Sequence, residues 1–265
     1  MMAQMQAMQQ QMAQLKEQVR SKGWEEKVMK LQGVFIKQKF ELFEAVTGCE
    51  TENRYDVYKY RPDGRAYGNP LLICKERSGC CARCCMTSDC RSFTMNCMDM
   101  GTETEDVVMI MRRPCQITCA CLCRPRMDVF LYDPKTRMEE KIGTVVDNFD
   151  CCNFSFQGET PQGEVRFHLE APCCQCAFWC KCPCDKCEKV VFDIYKGPKN
   201  ELLKAKLLKV GKGCCKNAIG DADNFMIPFE KWMTYHDRCL LVACTILIDY
   251  RMFEESPPDK KKLTK

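Results

Sequence analysis

The feature that most constrains the fold is a series of short segments in which apolar and polar residues alternate. Residues 163–172 (GEVRFHLEAP) and 189–198 (KVVFDIYKGP) each place their large apolar side chains on one face. Residues 53–67 (NRYDVYKYRPDGRAY) carry an Asp-Gly turn signal between two Tyr-rich runs. A period of two predicts strands, and the Asp-Gly pair predicts a hairpin. Many strands at short spacing predict a mainly β barrel or sandwich.

One apolar segment near the C-terminus departs from this pattern. Cys239 to Ile248 is free of charge, with Asp237 and Arg238 on one side and Asp249 and Arg251 on the other. A helix of this length covers about 15 Å, roughly half the hydrocarbon thickness of a bilayer. We therefore expect a buried element rather than a conventional membrane span. Its β-branched residues leave helix and strand both open.

Composition limits the function through charge and cysteine content. The chain has 265 residues, enough for one large domain or two small ones, and a net charge of only +4. Any attraction to phosphates must therefore come from local clusters. The 25 cysteines are an odd number in a long chain that begins without an export signal. We expect a reduced, cytosolic protein whose thiols serve as metal ligands, acylation sites, redox groups or core residues.

The two ends of the chain differ in composition from the strand-rich middle. We expect residues 1–32 to form a Gln- and Met-rich helical extension, residues 33–255 a barrel domain and residues 256–265 a basic disordered tail. Within the first 22 residues an a/d pattern runs through Met1, Met5, Met8, Met12, Leu15 and Val19. It fits an amphipathic or frayed helix, and it also fits a short coiled coil that would join copies of the chain.

Several stretches together resemble the phospholipid scramblase family, and they occur in the order found there. They are FELFEAVTGCETENRYDVY (40–58), CCARCC (80–85), RSFTMNCMD (91–99), RRPCQITCACLC (112–123), GDADNFMIPF (220–229) and LLVACTILIDYRMFEE (240–255). The resemblance implies a tubby-like fold, a closed antiparallel barrel of about twelve strands around a C-terminal hydrophobic helix. Family members often carry a Pro-rich N-terminal arm, which this chain replaces with its Gln/Met-rich segment.

The resemblance also implies an EF-hand-like calcium segment at residues 221–232. Calcium requires oxygen ligands from alternate positions of a loop. Here the twelfth position is Trp232 instead of an acidic residue and the sixth is Met226 instead of Gly, so we expect weak binding. A turn in which the two aspartates cap backbone amides is the alternative. The candidate ligands are the carboxylates of Asp221 and Asp223, the carbonyls of Phe225, Ile227 and Phe229, and Glu230.

Cysteine patterns give two further candidate sites. Cys119, Cys121 and Cys123 alternate, so their thiols would form one row on a strand. The resemblance implies S-palmitoylation of this row at the cytosolic face of the plasma membrane, and a row of small core thiols is the alternative. A second segment has paired C-x-x-C units, a pattern typical of zinc ligands, but the seven residues between the units are few for a zinc ribbon. Its candidate ligands, with further acylation and plain loop cysteines as alternatives, are Cys173, Cys176, Cys184 and Cys187.

Clustered lysines are candidates for contact with anionic lipid headgroups. Few aromatic residues lie among them, which argues against a surface that stacks nucleic acid bases. A solvated strand face is the alternative reading of the internal cluster. The lysines are Lys204, Lys206 and Lys209 within the domain and Lys260, Lys261 and Lys262 in the tail.

The functional hypotheses follow from these features. The leading one is a membrane-bound scramblase-like protein that moves phospholipids between leaflets in both directions, without ATP and in response to calcium. The second is an acylated, lipid-binding adaptor without scrambling activity, and the third is a zinc-binding interaction module. Two histidines and no HExxH, nucleophile-elbow or Gly-rich phosphate motif argue against covalent catalysis.

Overall fold

Twelve strands form a closed antiparallel barrel in which each strand pairs with its sequence neighbour and the last pairs with the first. The computed structural model describes residues 23–39, 52–60, 66–79, 91–101, 106–116, 123–179, 187, 189–198, 200–210 and 224–253. The predicted mainly β barrel is confirmed. The strands are β1 Gly33–Lys39, β2 Arg54–Tyr60, β3 Ala66–Arg77, β4 Phe93–Asp99, β5 Val107–Arg113, β6 Arg126–Tyr132, β7 Glu139–Asn148, β8 Asn153–Glu159, β9 Val165–Pro172, β10 Lys189–Lys196, β11 Asn200–Val210 and β12 Asn224–Pro228.

Alternation in the sequence becomes alternation between the barrel interior and its outer surface. In β4 every second side chain from Phe93 to Asp99 is buried, and in β10 Val190, Phe192 and Ile194 face the core as predicted. The predicted hairpin is present as the β2–β3 pair, in which Tyr60 lies opposite Ala66. Closure of the barrel pairs β1 with β12, so each of the twelve described strands has a neighbour on both sides.

The apolar segment is a helix, and the barrel encloses it. Helix α3 spans Tyr235–Met252, and every residue from Asp237 to Tyr250 is buried. It packs against β6, β7, β8 and β12. Among the described residues, no helix is both long enough and apolar enough to cross a bilayer. The β-branched residues of the segment did not prevent a helix, because burial within the barrel decides its conformation.

A glycine allows the helix to approach the barrel wall. At Gly143 in β7 an added Cβ would lie 2.1 Å from the carbonyl oxygen of Glu159 in β8 and 3.1 Å from the side chain of Leu240 in α3. The first distance is shorter than real Cβ contacts, and the second would require Leu240 to shift by a few tenths of an ångström. Gly143 is therefore a position at which two strands and the central helix approach one another closely.

A short N-terminal helix, α1 at residues 23–29, covers one end of the barrel. The guanidinium of Arg238 in α3 donates hydrogen bonds to the carbonyl oxygens of Val28 (2.8 Å), Met29 (3.0 Å) and Leu31 (3.1 Å). Val28 and Met29 belong to the last turn of α1, whose carbonyls lack partners within the helix, and Leu31 follows it. The carbonyl of Val28 also accepts from the backbone N–H of Leu31 at 3.2 Å. One buried arginine therefore joins the beginning of α3 to the end of α1.

Candidate functional site: the cysteine-rich end of the barrel

Antiparallel strands joined in sequence order place their connections alternately at the two ends of the barrel. We define the cysteine end as the end at which residues 40–53, 78–92, 114–125, 149–152, 173–188 and 211–223 join successive strands. We define the cleft end as the opposite end, where α3 begins and where the connections are residues 61–65, 100–106, 133–138, 160–164, 197–199 and 229–234. Helix α3 runs from the cleft end to the cysteine end.

The cysteines of this chain are distributed unequally between these two ends. Four of the 25 lie in β3, β4 and α3, namely Cys74, Cys97, Cys239 and Cys244. The other 21 all fall within the six segments that define the cysteine end. None falls in the segments joining elements at the cleft end or in residues 1–32. All 21 cysteines outside the core thus belong to segments that join strands at the same end of the barrel.

The four core thiols are shielded from solvent. Burial raises the pKa of Cys97, with a hydrogen bond to Cys74 adding to the effect. Burial likewise raises the pKa of Cys239 to about 12 and that of Cys244 still further. Because the thiolate is the reactive form, these cysteines serve as small core residues.

The described thiols of the cysteine end lie at or near the surface. Cys115, Cys123, Cys151, Cys152, Cys174 and Cys176 are exposed, and Cys173 and Cys187 are partly buried. A backbone hydrogen bond from Cys173 to the carbonyl of Cys152, 3.1 Å long, holds the β7–β8 turn against the β9–β10 connection. The sulfur atoms of Cys151 and Cys152 are 3.6 Å apart. Two chain segments therefore present adjacent thiols to the exterior.

The predicted acylation and zinc sites fall on this end but are only partly described. Cys123 is exposed and adopts a positive φ of 51°, whereas Cys119 and Cys121 lie outside the described residues. Cys184 lies outside them as well. Among the described residues no group of three or more His, Cys, Asp or Glu side chains is arranged to hold a metal ion. Acylation of the row and zinc binding by the four cysteines both stay predictions.

The predicted calcium segment meets the barrel at the beginning of β12. Asp221 and Asp223 lie outside the described residues. Phe225 and Ile227 are in β12, where their side chains are buried and their backbones are in register with β1. In such a strand the carbonyls face neighbouring strands as hydrogen-bond acceptors. Phe229 and Glu230 follow the strand at the cleft end and are partly buried. Calcium binding stays a prediction, carried by the two aspartates.

The predicted lipid-contact lysines are divided between described and undescribed parts of the chain. Lys206 is exposed on β11, and the ammonium of Lys209 lies 3.5 Å from the ring centroid of Phe253, directly after α3. This cation–π contact fixes Lys209 near the cysteine end. The side chain of Lys204 and the tail lysines Lys260, Lys261 and Lys262 lie outside the described residues.

A buried polar cluster, which the sequence did not reveal, surrounds the end of α3 beneath the cysteine end. The hydroxyl of Tyr250 donates to Glu76 Oε2 at 2.5 Å, and Tyr55 donates to Asp249 Oδ2 at 2.6 Å. Asp147 accepts from Arg124 and from Arg251. Burial raises the pKa of Asp147, and the two arginines oppose that rise. Only the pairing of distant strands brings these residues together.

The cleft end carries a large open cleft of about 1020 Å³. Arg166 crosses its edge and holds Asp237 through two hydrogen bonds of 2.8 and 3.1 Å, which raises the pKa of Arg166. Asp99 is likewise paired with Lys27 at 3.0 Å. Acidic residues outnumber basic ones in the lining, so the cleft is a poor match for an anionic headgroup. The acidic lining residues are Glu25, Asp99, Asp106, Asp133, Glu139 and Glu140.

Comparison with known proteins identifies the family. The model of the Scramblase family matches residues 12–255, which is most of the chain. The chain belongs to the scramblase family.

Three relatives from the curated proteins illustrate the match. Human phospholipid scramblase 1 is 27% identical over 233 residues, which cover 86% of this chain and 65% of the relative. Bovine phospholipid scramblase 2 is 27% identical over 225 residues, covering 83% of this chain and 68% of the relative. Human phospholipid scramblase 4 is 27% identical over 244 residues, covering 89% of this chain and 66% of the relative. This scramblase-family chain thus spans about 65% of the length of the first relative. No solved structure matches it significantly.

Proposed function

We propose that this protein is a membrane-tethered phospholipid scramblase that moves phospholipids in both directions between leaflets, without ATP and in response to calcium. The observation that carries the proposal is the family match over residues 12–255. The relatives are named phospholipid scramblases. The reaction makes and breaks no covalent bond, so the protein is a lipid-transport protein rather than a catalytic enzyme.

The physical task is to lower the barrier for moving a polar headgroup through hydrocarbon. Helix α3 is enclosed by the barrel along its buried residues, from Asp237 to Tyr250. It therefore offers lipids no path along its sides while the barrel stays closed. Lipid movement would take place where the outer surface of the protein meets and perturbs the leaflet.

Acylated cysteines would hold the protein at the cytosolic face of the plasma membrane. The proposed acceptors, Cys119, Cys121 and Cys123, lie in a segment that joins strands at the cysteine end. Stable anchoring takes two acyl chains, or one chain and a basic patch. The three proposed acceptors are followed directly by Arg124, and a Lys-rich tail follows α3 in the sequence. Lysines of this tail would attract anionic lipids.

Calcium would act at the same end. Asp221 and Asp223 immediately precede Asn224, the first residue of β12, and β12 begins at the cysteine end. Two carboxylates supply only part of the oxygen ligands that calcium prefers. A weak site of this kind would be completed by phosphate oxygens of anionic headgroups, which makes calcium binding depend on contact with the membrane.

A liposome assay tests the proposal. The full chain is reconstituted into vesicles that contain a fluorescent phospholipid in both leaflets, and dithionite then quenches the lipids that reach the outer leaflet. We expect calcium to increase the quenched fraction beyond that of protein-free vesicles. Because no nucleotide is added, an increase also establishes independence from ATP. Bound protein without any increase would contradict scrambling.

Paired variants test the calcium site. In the double variant Asp221→Ala, Asp223→Ala we expect stimulation by calcium to be lost while basal exchange is retained. Glu164→Ala is the matched control, because Glu164 is an exposed acidic residue at the cleft end. Calorimetry with vesicles present measures binding directly. Equal stimulation of the double variant and the control would contradict the site.

An acylated, lipid-binding adaptor without scrambling activity is the second candidate. The specific observation in its favour is the enclosure of α3, which leaves the membrane contact to the barrel surface and to acyl chains. The cleft end would then be free to meet a partner. The liposome assay separates the two functions, since an adaptor binds the vesicles but leaves the quenched fraction unchanged.

A further inference from the structure

The cysteine end exposes two large aromatic side chains on the two segments that are hydrogen-bonded to each other. Phe149 opens the β7–β8 turn and is 60% exposed. Trp179 ends helix α2, Cys176–Trp179, in the β9–β10 connection and is 73% exposed. The backbone hydrogen bond between Cys173 and Cys152 joins these segments. Both aromatic residues therefore belong to one surface.

The exposure of Trp179 is fixed by its neighbours. Phe178 packs with its ring 4.7 Å from Phe154 and 6.0 Å from Phe253, which anchors α2 to the barrel. The indole nitrogen of Trp179 donates to the carbonyl of Cys173 at 2.6 Å. One residue thus holds the helix in place while the next presents a large apolar ring to the exterior.

We propose that the barrel docks end-on against a lipid bilayer, with Phe149 and Trp179 inserted at the lipid–water interface and the cleft end directed away from the membrane. Tryptophan suits this depth because its ring is apolar and its N–H is polar. The exposed thiols of Cys151, Cys152, Cys174 and Cys176 belong to the same two segments as these rings. Their position is the one that acylation requires, beside the hydrocarbon rather than in bulk solvent.

The inference rests on membrane association in the proposed function but not on lipid movement. The opposite end also exposes apolar side chains, including Tyr67 and Met138. However, it has no cysteine in any connecting segment, and acidic residues outnumber basic ones in the lining of its cleft. The cysteine distribution and the aromatic pair therefore favour the same end of the molecule.

The three tryptophans provide an internal test of orientation. Trp179 is at the cysteine end, whereas Trp24 and Trp232 are at the cleft end. The full chain, purified from eukaryotic cells so that it keeps its modifications, is mixed with vesicles of phosphatidylcholine and phosphatidylserine that carry brominated acyl chains. We expect the bromines to quench a large part of the tryptophan fluorescence of the wild type. The variant Trp179→Phe keeps the other two tryptophans, and we expect almost no quenching of its fluorescence.

Partition measurements complete the test. The double variant Phe149→Ser, Trp179→Ser should bind the same vesicles roughly tenfold or more weakly, because two apolar rings lose their burial. The control variant Tyr67→Ser, Met138→Ser removes comparably exposed side chains from the cleft end and should bind as the wild type does. Quenching that persists in Trp179→Phe, equal loss in both double variants, or failure of the wild type to bind would each overturn the proposal.

The outcomes also separate this inference from the proposed function. Quenching of Trp179 without lipid exchange in the dithionite assay would support end-on docking and contradict scrambling. Lipid exchange by a protein whose Trp179 is not quenched would support scrambling and contradict end-on docking.

Discussion

At the scale of single residues, buried polar groups around the end of α3 depend on partners that are distant in sequence. Glu76 is fully buried in β3, and its Oε2 receives hydrogen bonds from the hydroxyl of Tyr250 and the backbone N–H of Asn53. A buried carboxylate is stable only when donors surround it. The end of α3 is therefore fixed to the barrel wall by polar as well as apolar contacts.

Substitution of Tyr250 tests this arrangement. Tyr250→Phe removes one donor from buried Glu76, and we expect the free energy of unfolding to fall by about 1–3 kcal/mol. Urea titration followed by circular dichroism measures the change. Tyr67→Phe is the matched control, since the side chain of Tyr67 is 51% exposed and should change stability by less than about 0.5 kcal/mol. An equally small effect at Tyr250 would contradict the role of its hydroxyl.

A surface pair gives a prediction about pH. Arg112 donates to both carboxylate oxygens of Glu139 at 2.5 and 2.6 Å, and this lowers the pKa of Glu139 from its ordinary 4.5. A carboxyl whose folded pKa is lowered contributes stability above its unfolded pKa and loses it as the pH falls through the folded pKa. Because the pair is exposed, the contribution at pH 7 is at most about 1 kcal/mol.

The variant Glu139→Gln tests the direction of this pH dependence. The difference in unfolding free energy between wild type and variant should be present at pH 7 and should shrink as the pH falls below 4.5. Urea titrations at several pH values measure it. A difference that grows toward acidic pH would show that the pair does not act in this way.

At the scale of elements, the first turn of α3 is held by two sets of interactions, a capping box and contacts made by arginine side chains. Thr234 is the N-cap and forms a capping box with Asp237, which satisfies backbone donors that the helix leaves free. Arg166 of β9 then pairs with Asp237. The following residue, Arg238, holds the carbonyls at the end of α1. The first turn of α3 thus connects β9 and α1 at the cleft end.

Arg238→Met tests the link between α3 and α1. Without the guanidinium, the carbonyls of Val28, Met29 and Leu31 lose a charged donor, and α1 should open locally more often. We expect trypsin to cleave native protein after Lys27 and Lys30 roughly tenfold or more faster than in wild type. Arg126→Met, which replaces an exposed arginine on β6, should leave the cleavage rate unchanged. Equal rates in all three proteins would contradict the link.

At the scale of the whole molecule, an antiparallel barrel sorts its connections, and with them its cysteines, to opposite ends. Chemical labelling of native, unacylated protein from bacteria should reveal this division. We expect a maleimide to modify the exposed Cys151, Cys174 and Cys176 rapidly, while the four core thiols stay unmodified over the same period. Mass spectrometry locates the labels, and urea-unfolded protein is the control in which every cysteine reacts. Native labelling of Cys239 or Cys244 would contradict their burial.

The contrast between β10 and α3 shows which parts of the fold are local in origin. Alternation at Val190, Phe192 and Ile194 predicted a strand with one buried face, because side-chain direction in a strand follows from sequence position alone. The segment from Cys239 to Ile248 did not distinguish helix from strand, since its burial inside the barrel, a tertiary effect, decides the conformation.

The candidate site also has features that the sequence determines and features that depend on the tertiary structure. The sequence by itself determined the strands, the apolar segment too short to span a bilayer, the family and the abundance of thiols. Only the tertiary structure decided that 21 cysteines belong to segments at one end, that Phe149 and Trp179 share that surface, and that Glu76 meets Tyr250. The physical reason is that strand periodicity acts over a few residues, whereas barrel closure brings together residues that are far apart in the chain.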